Sequence, residues 1–291
     1  MRATVAPTVC LQSGSLISVL QLGTLDYSTG LRLQQRLVEL RKEGRIGDVL
    51  LLLEHTPVIT LGRNARPANV LASPRLLARR GVEIFECDRG GDVTFHGPGQ
   101  IVGYPIFDLR SFPSADEKRK TLGVVEYVRR LEEVLIRACA HFSIPARRIP
   151  SLTGVWTTGP EAAASSPGSP ETRQGAPQLE SKIAALGVHI SRGVTSHGFA
   201  LNVNNDLSYF DLIIPCGIAS KPVTSMQKEL GRQLSLLDVA HSISRNFGLV
   251  FHSQILWLET LDALLGQTLG VPMQVPSPLR ALHHGEDDTW A

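Results

Sequence analysis

The stretch 89-RGGDVTFHGPGQIVGYPIFDL-109 sets the reading of the chain, because its β-branched and aromatic residues run between glycine-rich breaks and leave no helical spacing. The breaks Gly90-Gly91 and Gly97-Pro98-Gly99 mark off two strands, 91-GDVTFHG-97 and 100-QIVGYPIFDL-109, and a third, 82-VEIFECD-88, lies just upstream. Working toward the N-terminus, 48-DVLLLLEH-55 and 57-PVITLG-62 read as neighbouring strands, since Pro57 forbids one uninterrupted helix. Before them, 16-LISVLQLG-23 is strand-like, and 26-DYSTGLRLQQRLVELRKEG-44 spaces Leu33, Leu37 and Leu40 as a helix does before a glycine stop. Toward the C-terminus, Leu122, Val125, Val128, Leu131, Leu135 and Ala138 recur every three or four residues, which predicts one long helix over 121–141.

Three more segments, 152-LTGVW-156, 182-KIAALGVHI-190 and 197-HGFALNVN-204, have strand character, and 235-SLLDVAHSISRNFG-248 is a helix opened by a serine cap and closed by glycine. The apolar 255-ILWLETLDALLG-266 predicts a docked helix ahead of a loose tail. Runs of strands with a few long helices, lacking regular alternation, predict an α+β fold with a mixed β-sheet and packed helices. The boundaries expected are a flexible extension over 1–15, one domain over 16–250 and a C-terminal helix and tail over 251–291. Within the domain, 157-TTGPEAAASSPGSPETRQGAPQ-178 offers almost nothing to bury and is expected to be a disordered insertion.

Composition narrows the function. Lysines and arginines number 29 against 27 acids, a formal charge of +2, too small to require a nucleic-acid partner. Cys10, Cys87, Cys139 and Cys216 lie far apart without a CxxC pair, so neither zinc nor a disulfide framework is expected and a reducing compartment fits. No run approaches the roughly 20 apolar residues that a membrane span needs, and 1-MRATVAPTVCLQSGS-15 lacks a signal-peptide core.

Cys216 stands out because 209-YFDLIIPCGIAS-220 sets it between Pro215 and Gly217, on a turn rather than in a core. A thiolate there is a nucleophile for carbonyl carbon, and the bent backbone offers amides as oxyanion donors. The bland reading is a buried packing residue, and Cys10, Cys87 and Cys139 are expected to be packing or surface residues. A catalytic thiol needs a base or cation beside it, and Lys182 opens a strand of apolar neighbours where an ammonium is partly desolvated; a solvated lysine at a strand end is the alternative. The glycines around Arg89 and His96 predict a cradle for a ligand, with a structural salt bridge or a satisfied histidine as the alternative for each residue taken singly; they form neither a dinucleotide fingerprint nor a phosphate loop. Gly198, in 195-TSHGFALNVN-204, would likewise admit a ligand against bare backbone. The charges at Lys118, Arg119 and Lys120 are a solvated face, or a docking patch for an acidic carrier.

Taken in order, 54-EHTPVITLGRNA-65, 89-RGGDVTFHGPGQIVGYPIFDL-109, 182-KIAALGVHISRGVTSHGFALNVNNDLSYF-210 and 213-IIPCGI-218 resemble the lipoyl(octanoyl) transferases. The resemblance implies a fold similar to the biotin and lipoate protein ligase catalytic domain. It implies transfer of octanoyl from octanoyl-acyl carrier protein to a lysine of lipoyl domains, on 2-oxoacid dehydrogenase E2 subunits and on the glycine cleavage H protein, as the first step of lipoate biosynthesis. It carries the nucleophile to Cys216 and its companion to Lys182. Substrate binding falls to Arg89, Gly90, Gly91, Asp92, Val93, Thr94, Phe95 and His96, to Ala185, Leu186 and Gly187, and to Gly198, Phe199 and Ala200. The Ala185-Leu186 and Phe199-Ala200 pairs would suit an eight-carbon chain, at about 0.8 kcal/mol for each methylene buried. No metal, cofactor or ATP is expected, since the transfer is split into two steps that each start from a thioester. The insertion before Lys182 departs from the family's short turn. A bacterial cytoplasm is expected, with the mitochondrion as the eukaryotic alternative. Two rival classes stay open at this point: an ATP-dependent lipoate or biotin ligase, which would form no cysteinyl thioester, and an acyl-binding scaffold without turnover.

Overall fold

The computed structural model describes residues 15–116, 119–158, 180–217 and 221–266. The N-terminal extension up to residue 14, the 159–178 part of the expected insertion and the tail past residue 266 lie outside the described residues. The first half of the chain runs β1 (Leu16–Leu25), α1 (Tyr27–Lys42), β2 (Asp48–His55), β3 (Val58–Leu61), α2 (Pro74–Arg80), β4 (Glu83–Glu86), β5 (Val93–His96) and β6 (Gln100–Ile106). There follow α3 (Val124–His141), β7 (Ala146–Ile149), β8 (Leu152–Thr158), β9 (Glu180–Ser191), β10 (Val194–Asn202), α4 (Met226–Leu230), α5 (Leu236–Phe251), β11 (Gln254–Leu258) and α6 (Leu261–Gly266).

Among the described residues the strands form two sheets. The larger has the order β11-β1-β2-β6-β10-β9-β8-β7 and the smaller β4-β3-β5. Both are mixed: β1 pairs in parallel with β11 and β2, and β3 with β4, while the remaining pairs are antiparallel. The fold is therefore α+β, with helices on both faces of the large sheet.

The apolar run of β2 explains those two faces. Leu50 and Leu52 point into one core with α3 and α5 (Leu131, Leu135, Phe247), while Val49, Leu51 and Leu53 point into a second core with α1 (Leu33, Leu37). A strand buried on both sides has no polar face to alternate with, hence its continuous leucines. Helices α1 and α5 start where the sequence provides a side-chain cap: Asp26 accepts from the Thr29 N–H at α1, and Ser235 from the Asp238 N–H at α5. The small sheet builds a third core from Ile59, Val93 and Phe95 against Phe210, Leu212 and Ile213.

The structure differs from the sequence expectation at 255–266. Residues Gln254–Leu258 form a strand beside β1, and only Leu261–Gly266 is helical. A short apolar run has no decisive period, and the outer side of β1 supplies backbone partners that favour a strand. β8 also runs to Thr158, two residues past the sequence boundary at Trp156, with Thr157 fully buried and donating to Glu229. Pro57 separates β2 from β3 as expected, but the two strands belong to different sheets.

One buried carboxylate ties helix to sheet. Glu132 of α3 has no exposure; it accepts from the Arg129 and Arg148 guanidiniums at 2.7 and 3.1 Å and from the Gly154 N–H of β8 at 3.1 Å. Replacing it by alanine leaves a buried N–H without an acceptor. Glu132→Ala is expected to lower unfolding free energy by about 1–3 kcal/mol, and Glu132→Gln by less, in urea titrations followed by circular dichroism.

Candidate active site

Cys216 sits on a short turn, Pro215–Gly217, with φ 54° and ψ 21°. For a residue with a Cβ this left-handed conformation costs about 1–2 kcal/mol, so the surrounding structure must hold it. It does so through the 66–72 segment. The Ile214 N–H donates to the Asn69 carbonyl at 2.7 Å, and the Leu71 and Ala72 N–H groups donate to the Leu212 carbonyl. Asn69 Nδ2 in turn donates to Asp92 Oδ2 at 2.6 Å, and Asp92 Oδ1 accepts from the Arg66 and Val93 N–H groups. Gly217 also has positive φ, and a Cβ there would lie 2.7 Å from Asp92 Oδ2, so glycine is required for the turn to dock. The expected oxyanion donors need correction: the Gly217 N–H is taken up by the Ile214 carbonyl at 3.1 Å, and Pro215 has no N–H to offer.

Lys182 is placed by its backbone. Its N–H donates to the Pro222 carbonyl and its C=O accepts from the Thr224 N–H, both at 2.9 Å, while β8 flanks it on the other side, opposite Trp156. The side chain passes over Gly154, where a Cβ would stand 3.1 Å from Lys182 Cε. Its ammonium lies 4.7 Å from the centroid of the buried Trp156 ring, the residue is only 7% exposed, and no carboxylate pairs with it among the described residues. The ring face partly compensates the lost hydration of the cation. Lys182 and Cys216 border the same small cavity, together with Thr94, Gln100 and Asn202.

That cavity shares Thr94, Ala185, Ala200 and Cys216 as walls with a second slot, which runs between the large sheet and β5. The roof is the 89–92 loop. Gly90 N–H donates to the Val188 carbonyl, Gly91 adopts φ 90°, and a Cβ on Gly187 would be 2.6 Å from the Gly90 carbonyl oxygen. Arg89 is buried without a carboxylate among the described residues; its guanidinium donates to Thr60 Oγ1, the Thr60 carbonyl and the Gly90 carbonyl. Asp88, just ahead of the loop, accepts from His197 Nε2 at 2.7 Å, and this hydrogen bond holds its carboxyl at about 2.

Two buried histidines line or brace the slot as neutral rings. Burial pushes His96 down to about 3 and His55 to about 4. Gln100 Nε2 donates to Phe95 O and Asn202 Oδ1, so its Oε1 accepts from His96 Nδ1–H at 2.8 Å. His55 Nδ1–H must donate to the Leu25 carbonyl at 3.0 Å, which leaves Nε2 to accept from the Tyr104 hydroxyl at 2.7 Å.

Of the residues singled out in the sequence, Arg89, Gly91, Asp92, Thr94, His96, Ala185, Gly187, Gly198 and Ala200 border the slot. Leu186 and Phe199 border it too, but their side chains pack in the core with α3 and α5; the Phe199 ring fills the space beside Gly103. Val93 and Phe95 point into the third core, and Gly90 holds the roof from outside the lining. The reason is the two-residue period of a strand, which sends neighbours to opposite faces. Tyr27, Val102, Tyr104 and His197 line the slot without having been singled out as site residues. Lys118 is outside the described residues, and Arg119 pairs with Asp116 on the solvated face. No cluster of three metal-ligating side chains occurs among the described residues, and none of their helices is long and apolar enough to cross a membrane.

Comparison with known proteins follows the same lines. Residues 26–248 match the lipoyl protein ligase A/B catalytic domain. The chain is 57% identical over 273 residues to an octanoyltransferase of Koribacter versatilis, covering 94% of this chain and 98% of that one. An octanoyltransferase of Acidobacterium capsulatum is 55% identical, over 86% of this chain and 96% of its own length. Among solved structures, a bipartite lipoate protein ligase from Thermoplasma acidophilum aligns with a TM-score of 0.60 at 15% identity, covering 93% of this chain and 90% of that one. A lipoate-protein ligase A bound with ATP aligns at 0.57 and 14%, over 93% and 92%; at such identities the likeness is one of fold. The chain belongs to the lipoyl protein ligase A/B catalytic domain family, and within it to the octanoyltransferases.

Proposed function

We propose that this enzyme moves an octanoyl group from octanoyl-acyl carrier protein to a lysine of apo lipoyl domains, those of 2-oxoacid dehydrogenase E2 subunits and of the glycine cleavage H protein, through a thioester on Cys216. The observation that carries the reading is the common cavity of Cys216 and Lys182, opening into a slot walled by Ala185, Ala200 and Val102. The close relatives named octanoyltransferase support the acyl group, and their bacterial sources support a cytoplasmic setting.

The chemistry follows from charge and geometry. Lys182 ammonium is the counter-charge for the Cys216 thiolate, held in a place with little water, where such an attraction is strong. The thiolate attacks the carbonyl carbon of the donor thioester, the carrier's thiolate leaves, and the proton it takes up comes from Lys182. The now neutral amine accepts a proton from the acceptor lysine as that nitrogen attacks the Cys216 thioester. Cys216 departs as the thiolate and the ion pair is restored, with no nucleotide consumed. With the Gly217 amide engaged in its turn, the Lys182 cation and the Cys216 N–H are the groups assigned to the tetrahedral oxyanion.

Intact-protein and peptide mass spectrometry after incubation with octanoyl-acyl carrier protein, without ATP, is expected to find one octanoyl group, on Cys216. Label on another residue would contradict the Cys216 mechanism, and a requirement for ATP and free octanoate would favour an adenylating ligase. Cys216→Ser is expected to abolish transfer with an unchanged melting curve. Lys182→Met should fold and bind donor yet transfer octanoyl about 100-fold more slowly or worse, the scale of a lost acid–base group; near-normal turnover would remove Lys182 from the mechanism.

A further inference from the structure

We infer that Tyr104, clamped by His55, is the end wall of the acyl slot and sets the longest chain that Cys216 accepts; the inference rests on the transfer reading above. The strand register orders the slot into rungs. At the Cys216 end stand Gln100 of β6 and Asn202 of β10, paired with each other, with Lys182 of β9 beside the same cavity. Next comes a rung of small apolar side chains, Val102 opposite Ala200, which in turn pairs with Ala185. One further step along the strands reaches Gly187, paired with Gly198, and beside them Tyr104. Tyr104 is four residues beyond Gln100, roughly 13 Å along a strand at ~3.3 Å per residue. At this rung both glycines allow close backbone approach, a Cβ on Gly187 meeting the Gly90 carbonyl oxygen and one on Gly198 meeting the Gly103 carbonyl oxygen, and the phenol ring of Tyr104 closes the slot.

The wall is braced from behind. The Tyr104 hydroxyl donates to His55 Nε2, and His55 is itself tied to the Leu25 carbonyl at the end of β1. The Tyr27 ring meets His55 edge-on at 5.2 Å and stacks parallel to His96 at 6.4 Å, while His197 meets Tyr104 edge-on at 6.4 Å. His197 is fixed in turn by Asp88. A lone tyrosine could swing aside for a longer chain; one with its hydroxyl anchored and its faces packed cannot without breaking a buried hydrogen bond. Neither Tyr104 nor His55 borders the cavity that Cys216 and Lys182 share, so the transfer step leaves both without a chemical task.

The test measures loading of Cys216 by intact mass, with hexanoyl-, octanoyl-, decanoyl- and dodecanoyl-acyl carrier protein, in the full chain and in Tyr104→Phe, Tyr104→Leu and Tyr104→Ala. The unmodified protein should load octanoyl and fall off steeply for longer chains, and Tyr104→Phe, which keeps the ring but loses the hydroxyl anchor to His55, should fall off less steeply. Tyr104→Leu and Tyr104→Ala should admit decanoyl. Each methylene newly buried contributes about fourfold, so the decanoyl-to-octanoyl ratio should rise roughly tenfold or more. The ratio is the readout because partial unfolding lowers both rates together, and Tyr104→Leu serves if the alanine variant fails to fold. An unchanged ratio in a variant that still loads octanoyl overturns the end-wall assignment. A native protein that loads no acyl group of any length overturns the Cys216 chemistry itself, and the wall with it.

Discussion

The arrangement depends on an ammonium kept nearly dry without a carboxylate partner among the described residues. Lys182 is 7% exposed, and burying a cation without an ion-pair partner is costly, so the surrounding backbone must hold it in place. The backbone does this by pairing on both sides, with β8 on one and the Pro222–Thr224 carbonyl and amide on the other. Gly154 clears the path of the side chain, and Trp156 supplies a ring face beneath its charge. Glu132 reaches from α3 to accept the Gly154 N–H, so helix packing, strand placement and the lysine's position form one connected chain of contacts. A fixed charge with little water around it is worth more to a neighbouring thiolate than a mobile lysine on the surface.

The other half of the site is built from turns. Cys216 holds a left-handed conformation because its loop is hydrogen-bonded to the 66–72 segment, and Asn69 and Asp92 tie that segment to the glycine-rich roof. Roof, thiol and slot are therefore joined by one set of hydrogen bonds. The large sheet provides the floor, the small sheet and the 89–92 loop the cover, and the close approach between them needs glycine at 187 because its neighbour is a carbonyl oxygen. Strain at Cys216 is offset by these contacts in the folded protein and leaves the sulfur at the junction of the slot and the lysine's cavity.

Much of this was legible in the chain. β2 read as a strand because the continuous apolar run, Val49 to Leu53, has strand length, α1 showed itself by the spacing of Leu33, Leu37 and Leu40 before a glycine, and α5 by its Ser235 cap. β11 was misread because Ile255, Leu256 and Trp257 carry no period, and the partner that decides their conformation, β1, lies far away in sequence. Cys216 and the glycine loop showed themselves through local composition. Which residues of β9 and β10 face the slot was not settled by that composition, since Leu186 and Phe199 are as apolar as a lipid pocket would want; only register assigns them to the opposite core. Tyr27, His55 and Tyr104 come from three distant segments, and nothing local marks any of them as a slot residue.

The central claim is that the Lys182 charge acts on the Cys216 sulfur. The most direct measurement is the rate of iodoacetamide alkylation of Cys216, read peptide by peptide at one neutral pH, in the native protein and in Lys182→Met. The account predicts that Cys216 reacts ahead of the buried Cys139 and of Cys87, whose thiol donates to the Leu61 carbonyl, and that removing the amine slows Cys216 about tenfold, the equivalent of about 1.4 kcal/mol of charge stabilisation. Equal rates in the two proteins would contradict it.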